Sequence, residues 1–456
     1  MARKVHLSSL GCPKNQVDAE VMLGKLVAEG YEVTLDPAEA DLMIVNTCSF
    51  IQPAKEESID AILEMARHKA GPGTRLVVTG CLAERYGKVL AAEMPEVDAF
   101  VGTGDFLRLP EVLRDLGRSA GSGPVAYVGA QHVLPDARVP RLLTGQPFSA
   151  YLKVSEGCNH RCAFCIIPKI RGRHESRPLA DLVAEAESLA AWGAREVNLI
   201  AQDLTAYGRD LERRSSLADL VRELARVDGI EWIRLLYCYP NYVTAELLDA
   251  IAEEPKVCAY VDMPLQHGSD RMLRAMRRER SADSLRRLVE RIRERIPGVA
   301  LRTSFIVGFP GETDDDFAEL CRFVAELKFD RVGVFRYSQE ENTDAGQMPR
   351  QVPESIKEER WHRLMRLQRE ISRRKNREWV GHVVPVLACG QDKEGRVFGR
   401  TAGQAPDIDG QVFLDGTFEP GELVPMRIIA SDDYDLFARR AGSEELSGVD
   451  TRRVHP

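Results

Sequence analysis

Three cysteines in the segment YLKVSEGCNHRCAFCIIP have the spacing of an iron–sulfur ligand set. Cys158, Cys162 and Cys165, the motif trio, follow a Cys-x3-Cys-x2-Cys pattern with the aromatic Phe164 before the last. A cubane cluster normally binds four thiolates, one for each iron. The next cysteine, Cys238, lies more than seventy residues further on. The motif trio therefore predicts a four-iron cluster with one open iron, where a substrate or cofactor can bind.

Two other interpretations of the motif trio are a zinc knuckle and three buried structural cysteines. Zinc sites usually bring paired Cys-x2-Cys or Cys/His ligands, and no second pair follows at zinc-finger distance. His160 is a poor zinc candidate because it is wedged between two of the cysteines. The pattern favours the cluster over both alternatives.

A second set of cysteines, the strand-end trio, consists of Cys12, Cys48 and Cys81. They end the apolar runs VHLSSLGC, DLMIVNTC and RLVVTGC, which are typical of strands buried on both faces. A helix-like segment follows each run, so the pattern predicts βα units and a parallel sheet. Ligands of such sheets bind at the carboxyl edge, where these cysteines can converge. The alternative is that they are small core residues.

Composition describes a folded protein of about three domains, with 456 residues, 44% apolar and 29% charged. No apolar run approaches the roughly 18–20 residues of a membrane span, and no signal peptide is recognisable. We therefore expect a cytoplasmic protein with no membrane partner. Its ten cysteines are better explained as metal ligands and core residues than as disulfides. The predicted packing cysteines are Cys238, Cys258, Cys321 and Cys389.

Changes in composition divide the chain and predict an α/β fold. Residues 3–118 are predicted to form an N-terminal parallel α/β sheet domain, and 119–140, rich in Gly, Pro and Ser, a linker with room for one extended segment. Six further strands within 141–373 predict a partial (β/α)6 barrel with its active site at the carboxyl ends of the strands. Short strands with Gly and Pro turns in 376–440 predict a small OB-like β-barrel. The polar residues 441–456 are expected to be a flexible tail.

With both trios and the terminal β module, the chain resembles the methylthiotransferase family of radical S-adenosylmethionine (SAM) enzymes over about residues 3–440. LGCPKNQVDAE, YLKVSEGCNHRCAFCIIP, NLIAQDLTAYG, RLLYCYP, MPLQHGSDRMLRAM and VGVFRYSQEENT resemble the type that modifies a ribosomal protein. The tRNA-modifying type more usually has an LGCQMN-like start, a GQNVNSY segment and PVQSG where this chain has PLQH. Ala19 and Arg336 depart mildly from the family pattern, and neither is a cluster ligand.

The resemblance implies two four-iron clusters and SAM as cofactors. The strand-end trio would bind an auxiliary cluster, and the motif trio would bind the SAM-cleaving cluster of a radical SAM core. The terminal β module would be a TRAM domain, which docks the macromolecular substrate. Its residues 381–440 carry ten Asp/Glu and six Lys/Arg. An acidic module suits a basic protein partner better than tRNA phosphates.

The implied reaction adds a methylthio group to the β-carbon of an aspartate in small-subunit ribosomal protein twelve. One SAM yields the 5′-deoxyadenosyl radical that abstracts hydrogen, the auxiliary cluster delivers sulfur, and a second SAM provides the methyl group. The implied partners are that ribosomal protein, free or in the ribosome, a reductant such as flavodoxin or ferredoxin, and a sulfur donor. Catalytic side chains stay unassigned because the cofactors carry the chemistry. The alternatives are a tRNA adenosine methylthiotransferase and a non-catalytic electron-transfer protein.

Contacts to SAM are expected at the barrel mouth. One candidate ends the strand NLIAQD, and the others form the IVGFPGE segment, which resembles a family element that lines the SAM site. A tight βα turn is an equal explanation for that segment. Asp203 and His267 are weaker candidates. The predicted cofactor-binding residues are Gln202, Gly308, Pro310, Gly311 and Glu312.

Overall fold

The computed structural model of this chain describes residues 3–69, 71, 73–118 and 123–446. Two six-stranded sheets follow one another along the chain, and a closed five-stranded barrel comes last. This architecture confirms the predicted α/β class. Residues 119–122 of the predicted linker and residues 447–456 of the predicted flexible tail lie outside the described residues.

The N-terminal unit alternates strands and helices, as its apolar runs predict. Its elements are β1 (Arg3–Ser9), α1 (Pro13–Ala28), β2 (Tyr31–Val33), β3 (Leu42–Thr47), α2 (Gln52–Arg67), β4 (Arg75–Gly80), α3 (Cys81–Glu93), β5 (Ala99–Val101), α4 (Leu109–Arg118) and β6 (Val125–Tyr127). All neighbouring strands pair in parallel, in the order β2-β1-β3-β4-β5-β6. Strands β1, β3 and β4 are therefore adjacent.

One strand of this sheet lies in the segment predicted to be a linker. Strand β6 pairs in parallel with β5 and forms the edge of the sheet. Its three residues are only half-buried, and the run VAY is too short to show the periodicity of a strand. The predicted linker thus contributes an edge strand before the chain crosses to the next unit.

The central unit is a partial barrel. Its elements are β7 (Ser149–Lys153), β8 (Ser155–Glu156), α5 (Ile167–Ile170), β9 (Glu175–Ser176), α6 (Leu179–Ala191), β10 (Glu196–Ile200), α7 (Leu217–Ala225), β11 (Trp232–Leu235), α8 (Ala245–Glu253), β12 (Val257–Asp262), α9 (Asp270–Ala275), α10 (Ala282–Arg295), β13 (Ala300–Val307), α11 (Asp314–Leu327), β14 (Arg331–Arg336) and α12 (Glu354–Glu378). Six parallel strands run in the order β14-β13-β12-β11-β10-β7. Because β7 and β14 are edges, the barrel stays open, as predicted.

The terminal unit closes as a small barrel and packs at the amino-terminal end of the central strands. Its strands are β15 (Val383–Gln391), β16 (Val397–Thr401), β17 (Val412–Asp415), β18 (Leu423–Ser431) and β19 (Leu436–Arg440). Glu196, the first residue of β10, accepts hydrogen bonds from Arg400 Nη2 at 2.5 Å and from Arg234 Nη2 at 3.0 Å. All three side chains are buried. The carboxyl ends of the central strands are thus left for the site.

The N-terminal unit packs across both edge strands of the open barrel. Helix α1 lies against β7. Beyond β14, the buried carboxylate of Glu340 accepts hydrogen bonds from Lys55 Nζ and Arg85 Nη1, both at 2.9 Å. These contacts bring the strand-end trio towards the barrel mouth. Within the described part of the chain, no helix has the length and apolar character needed to cross a membrane.

Candidate active site

The strand-end trio meets at one edge of the N-terminal sheet, as the sequence predicts. Cys12 follows β1 and caps α1, Cys48 follows β3, and Cys81 follows β4 and begins α3. The carboxyl ends of these adjacent strands lie side by side. A Cβ atom added to Gly11 would lie 3.3 Å from the Cys48 sulfur, so the Cys12 loop packs directly on Cys48.

A glycine in the left-handed region turns the chain before a cysteine in each trio. Gly80 has φ +93°, and a Cβ atom there would lie 2.6 Å from the Thr47 carbonyl oxygen. Gly157, with φ +78°, precedes Cys158, and a Cβ atom there would overlap the Arg173 carbonyl. Only glycine adopts this conformation without strain, and only glycine leaves room for the neighbouring backbone.

The strand-end trio lies beside buried positive charge. Burial raises the pKa of the Cys81 thiol to about 12 and also raises the pKa of Cys48. The Arg171 guanidinium opposes both shifts, and its Nη2 donates to Asn15 Oδ1 at 2.5 Å. Asn15 Oδ1 lies 3.9 Å from the Cys81 sulfur. Buried thiols beside a fixed cation suit an anionic iron–sulfur cluster, because metal binding removes the thiol protons and the cation offsets the resulting charge.

The motif trio lies on a loop at the carboxyl end of the first barrel strands. Cys158 N donates to Gly172 O and Cys165 N to Cys162 O, both at 3.1 Å. Burial raises the pKa of Cys158 to about 11 and that of Cys165 to about 12. Cys158 and Cys165 thus have shielded thiols, in a loop that its own backbone hydrogen bonds shape, as a cluster ligand set requires.

Asp203 and His160 hold this loop against the strand ends. His160 Nε2 lies 2.6 Å from Asp203 Oδ2, which accepts, and its ring stacks on Tyr239 at a centroid distance of 3.7 Å. Asp203 Oδ1 also accepts from Thr205 N at 3.0 Å. Both oxygens of Asp203, a weak candidate for SAM contact, are therefore engaged: Oδ2 holds the motif loop through His160, and Oδ1 caps the turn that follows Asp203.

Arg278 is a site residue that the sequence analysis missed. Its Nη1 lies 3.5 Å from the Cys162 sulfur, and its guanidinium lies over the Tyr239 ring at 4.2 Å. Nη2 donates to Pro264 O at 2.8 Å. The segment MPLQHGSDRMLRAMRR contains several arginines, so the sequence offers no signal that singles this one out.

Gln202 lies at the mouth of the partial barrel, and its side-chain oxygen has no hydrogen-bond donor among the described residues. Its Nε2 donates to Glu156 Oε1, whereas its Oε1 is buried and has no hydrogen-bond partner among the described residues. A buried polar atom without a partner normally indicates a ligand or water. The position, beyond β10 and near the Cys158 loop, fits the ammonium group of an amino-acid cofactor such as SAM.

The IVGFPGE segment forms a tight, internally braced turn. Glu312 is buried, and its Oε2 accepts from Gly308 N at 2.7 Å while its Oε1 accepts from Arg360 Nη1 at 3.0 Å. A Cβ atom on Gly308 would overlap Lys357 of α12. His267 Nε2 lies 3.8 Å from Glu312 Oε2, inside the same packing. The Glu312 carboxylate serves its own turn, and cofactor binding by this segment stays a prediction.

A buried ionic network joins α1 to the barrel between the two trios. Lys153 Nζ donates to Asp18 and to Glu156 Oε2, the latter at 2.9 Å. Arg171 Nη1 donates to Asp18 Oδ2 at 3.1 Å and to Glu156 Oε2 at 3.0 Å. The two cations hold the pKa of Glu156 well below its usual range despite its burial. This network fixes the N-terminal unit relative to the barrel mouth.

Lys14 lies in the first turn of α1 and faces the barrel. Its Nζ lies 3.2 Å from the centroid of the Tyr237 ring, and burial lowers its pKa to about 8. Tyr237 follows β11 with φ +66°, an unusual conformation for a tyrosine. Its N–H donates to Asp262 Oδ2 at 3.0 Å, which holds the residue in place.

A cavity of about 680 Å³ opens beside the motif loop, among residues that follow β10 and β11. Five arginines and three carboxylates line it, although the whole chain carries a net charge of −8. Among the described residues, the exposed side chains of Arg161 and Arg274 have neither a hydrogen bond nor an ion pair. The arginines are Arg161, Arg209, Arg274, Arg277 and Arg278.

The four remaining cysteines pack in apolar surroundings, which confirms their predicted role. Cys238, Cys258 and Cys389 are buried in the barrel core, and Cys321 packs against it. In the described ranges, no three His, Cys, Asp or Glu side chains close around a position for a single metal ion. A four-iron cluster asks for a wider arrangement, because each thiolate binds a different iron.

Three family models match the chain in an order that follows its three units. Residues 4–102 match the uncharacterized protein family UPF0004, 152–324 the radical SAM superfamily, and 380–440 the TRAM domain. Among solved structures, the radical SAM methyltransferase TsrM from Kitasatospora setae has a TM-score of 0.55 at 19% identity, with 76% of this chain and 77% of that chain covered. The similarity shows a shared fold.

Several relatives are much more similar in sequence than this solved structure is. The ribosomal protein uS12 methylthiotransferase RimO of Geobacter sulfurreducens is 51% identical over 437 residues, covering 95% of this chain and 97% of that protein. RimO of Trichlorobacter lovleyi is 50% identical over 440 residues, covering 96% and 98%. RimO of an Anaeromyxobacter species is 51% identical over 437 residues.

A partial βα barrel with a three-cysteine loop at its mouth, matched by the superfamily model, defines a radical SAM enzyme. Such an enzyme uses an iron–sulfur cluster and SAM, and the thiol loop and the free Gln202 acceptor fit those groups. The TRAM module and the near-complete coverage by relatives narrow the class to methylthiotransferases. The chain belongs to the RimO family.

Proposed function

We propose that this chain transfers a methylthio group to the β-carbon of an aspartate in ribosomal protein uS12. The observation that carries the proposal is the pair of cysteine trios on two units, joined by the buried network of Asp18, Lys153, Glu156 and Arg171. Relatives at about half identity over nearly the whole chain bear the name of this activity. The reaction is a group transfer, so the enzyme is a transferase.

Two four-iron clusters are assigned to the two trios. The strand-end trio would hold the auxiliary cluster and the motif trio the SAM-cleaving cluster. When bound, these clusters and SAM would supply the radical, the sulfur and the methyl group. The sulfur comes from a donor that replenishes the auxiliary site.

The side chains of the protein would bind SAM and hold the motif loop and the two units in position. Gln202 Oε1, the free buried acceptor, would receive the ammonium of SAM. Arg278, beside Cys162, is suited to the carboxylate of the same methionine moiety. Asp203 and His160 hold the motif loop, and the buried network keeps the two units in register.

The reductant is proposed to be an acidic electron-transfer protein of the flavodoxin or ferredoxin type. Supporting this choice, the arginine-lined cavity lies beside the motif loop, and one of its arginines touches Cys162. Arg161 and Arg274 have no carboxylate partner in the described residues, so their charge is available to an acidic surface. A cytoplasmic location, as expected from the sequence, suits both this donor and a ribosomal substrate.

The experiment that tests the function uses anaerobically reconstituted protein, SAM, a reductant, purified uS12 and, in parallel, bulk tRNA. Mass spectrometry should find one methylthio group on a uS12 aspartate and no new modification in the tRNA digest. A methylthiolated adenosine with unmodified uS12 would instead support the tRNA alternative. The acidic terminal module and the names of the relatives favour the first outcome.

A further inference from the structure

Lys14 is a buried cation without an anionic partner. Only 5% of the residue is exposed, yet among the described residues its ammonium makes no hydrogen bond and no ion pair. The ammonium lies over the face of the Tyr237 ring, 3.2 Å from its centroid. Neighbouring buried cations differ, because Lys153 and Arg171 each contact both Asp18 and Glu156. Burying an unpaired charge is costly, so an unpaired ammonium indicates an anion that is supplied from outside.

The position of Lys14 identifies the space that such an anion would enter. Lys14 stands two residues after Cys12, in the strand-end trio, and its ammonium points at Tyr237 beyond barrel strand β11. Tyr237 is held in a left-handed conformation by the Asp262 carboxylate, and strain of this kind concentrates at functional sites. The ammonium therefore lies between the auxiliary cysteines and the barrel mouth.

We propose that Lys14 binds the side-chain carboxylate of the substrate aspartate. This inference rests on the proposed function, in which the reacting β-carbon is bonded directly to that carboxylate carbon. A group that binds the carboxylate thus fixes the reacting carbon one bond away. An ammonium also distinguishes aspartate from asparagine, because the neutral amide cannot offset a buried positive charge. Lys14 would then select the residue type and place it between the two trios.

The SAM carboxylate is the other carboxylate in this site, and the two are distinguished by position. Arg278 lies beside Cys162 of the motif trio, whereas Lys14 lies beside the strand-end trio. Loss of Lys14 should therefore weaken recognition of the protein substrate and leave SAM binding unchanged.

The test compares two synthetic uS12 peptides. One contains the aspartate that the enzyme is proposed to modify, in its unmodified form, and the other has asparagine in its place. Binding to holoenzyme loaded with both clusters is measured by fluorescence anisotropy without reductant. The wild type should prefer the aspartate peptide by roughly ten- to a hundredfold, the usual range for a hydrogen bond to a charged group. Lys14→Met should reduce that preference to about twofold or less, whereas Lys14→Arg should keep it. Lys88→Met, on the exposed part of α3, is the matched control and should behave as wild type.

Three results would overturn the proposal. Lys14→Met could retain the full preference for aspartate, could bind SAM more weakly in equilibrium dialysis, or could hold only half of the wild-type iron. The last outcome would make Lys14 a support for the auxiliary cluster. Failure of the proposed function has a different signature, because wild-type holoenzyme would then leave intact uS12 unmodified.

Discussion

One buried carboxylate, Glu196, is expected to fasten the terminal barrel to the central one. It accepts hydrogen bonds from Arg234 and Arg400, and none of these side chains is more than 6% exposed. The two guanidinium groups lower the pKa of Glu196 from 4.5 to about 2. This lowering of the pKa corresponds to roughly 3 kcal/mol of stabilisation. Removing one partner of a buried ion pair typically costs about 3–5 kcal/mol of stability, a range that includes this value.

Glu196→Gln should therefore weaken attachment of the terminal barrel by about 3 kcal/mol. Hydrogen exchange of amides in 381–440 measures local opening, and that cost predicts roughly hundredfold faster exchange. Amides of β3 in the N-terminal sheet should be unaffected. Glu231→Gln removes an exposed pair with Arg195 at 3.8 Å and should change exchange little, because such pairs contribute about 0–1 kcal/mol. Unchanged exchange of the terminal barrel in Glu196→Gln would refute the reasoning.

The Glu196 carboxylate also makes the stability of the folded protein depend on pH. Because the pKa of Glu196 is lower in the folded protein than in the unfolded chain, its stabilising contribution is complete above about pH 5. The contribution is lost as the pH falls from there towards about 2. In a pH series of thermal unfolding, the difference between wild type and Glu196→Gln should therefore shrink on acidification. A difference that stayed constant down to about pH 2.5 would exclude this assignment.

Three further predictions concern the site. Replacing the motif trio by Ala should lower bound iron from about eight to about four and abolish 5′-deoxyadenosine formation, measured by chromatography. Gly80→Ala should strain the turn before Cys81 by about 1–3 kcal/mol, and the auxiliary cluster should be lost in part, measured as iron content and by electron paramagnetic resonance. Arg161→Glu with Arg274→Glu should slow reduction by an acidic flavodoxin at low salt by tenfold or more but leave dithionite-driven SAM cleavage unchanged. Equal rates with flavodoxin would argue against the arginine cavity as its docking surface.

The fold and both trios could be predicted because their signals are local. Each strand-end cysteine closes a short apolar run. The motif trio lies within eight residues. The place of strand β6 in the sheet was not predicted, because its three residues are only half-buried and join the sheet through pairing with β5.

The rest of the site depends on contacts between distant parts of the chain. Lys153 meets Asp18 across 135 positions, and Arg171 meets Asn15 across 156. Neither contact can be predicted from the spacing of residues within one segment of the sequence. In the sequence, Lys14 is an ordinary residue near the start of a helix. Only the folded structure shows that its ammonium is buried against the barrel without an anionic partner among the described residues. For Glu312 the local motif suggests a ligand contact, and the structure adds the hydrogen bonds of its carboxylate to its own turn and to the distant Arg360.

The central claim is that two trios on separate units perform separate parts of one reaction. The most direct test replaces Cys12, Cys48 and Cys81 by Ala and measures iron, 5′-deoxyadenosine and product mass on one sample with uS12, SAM and dithionite. The claim predicts about four irons, continued SAM cleavage and no methylthio group on the aspartate, because the two ligand sets belong to units with separate cores. Normal methylthiolation of uS12 by this variant would contradict the claim and reduce the strand-end trio to core packing.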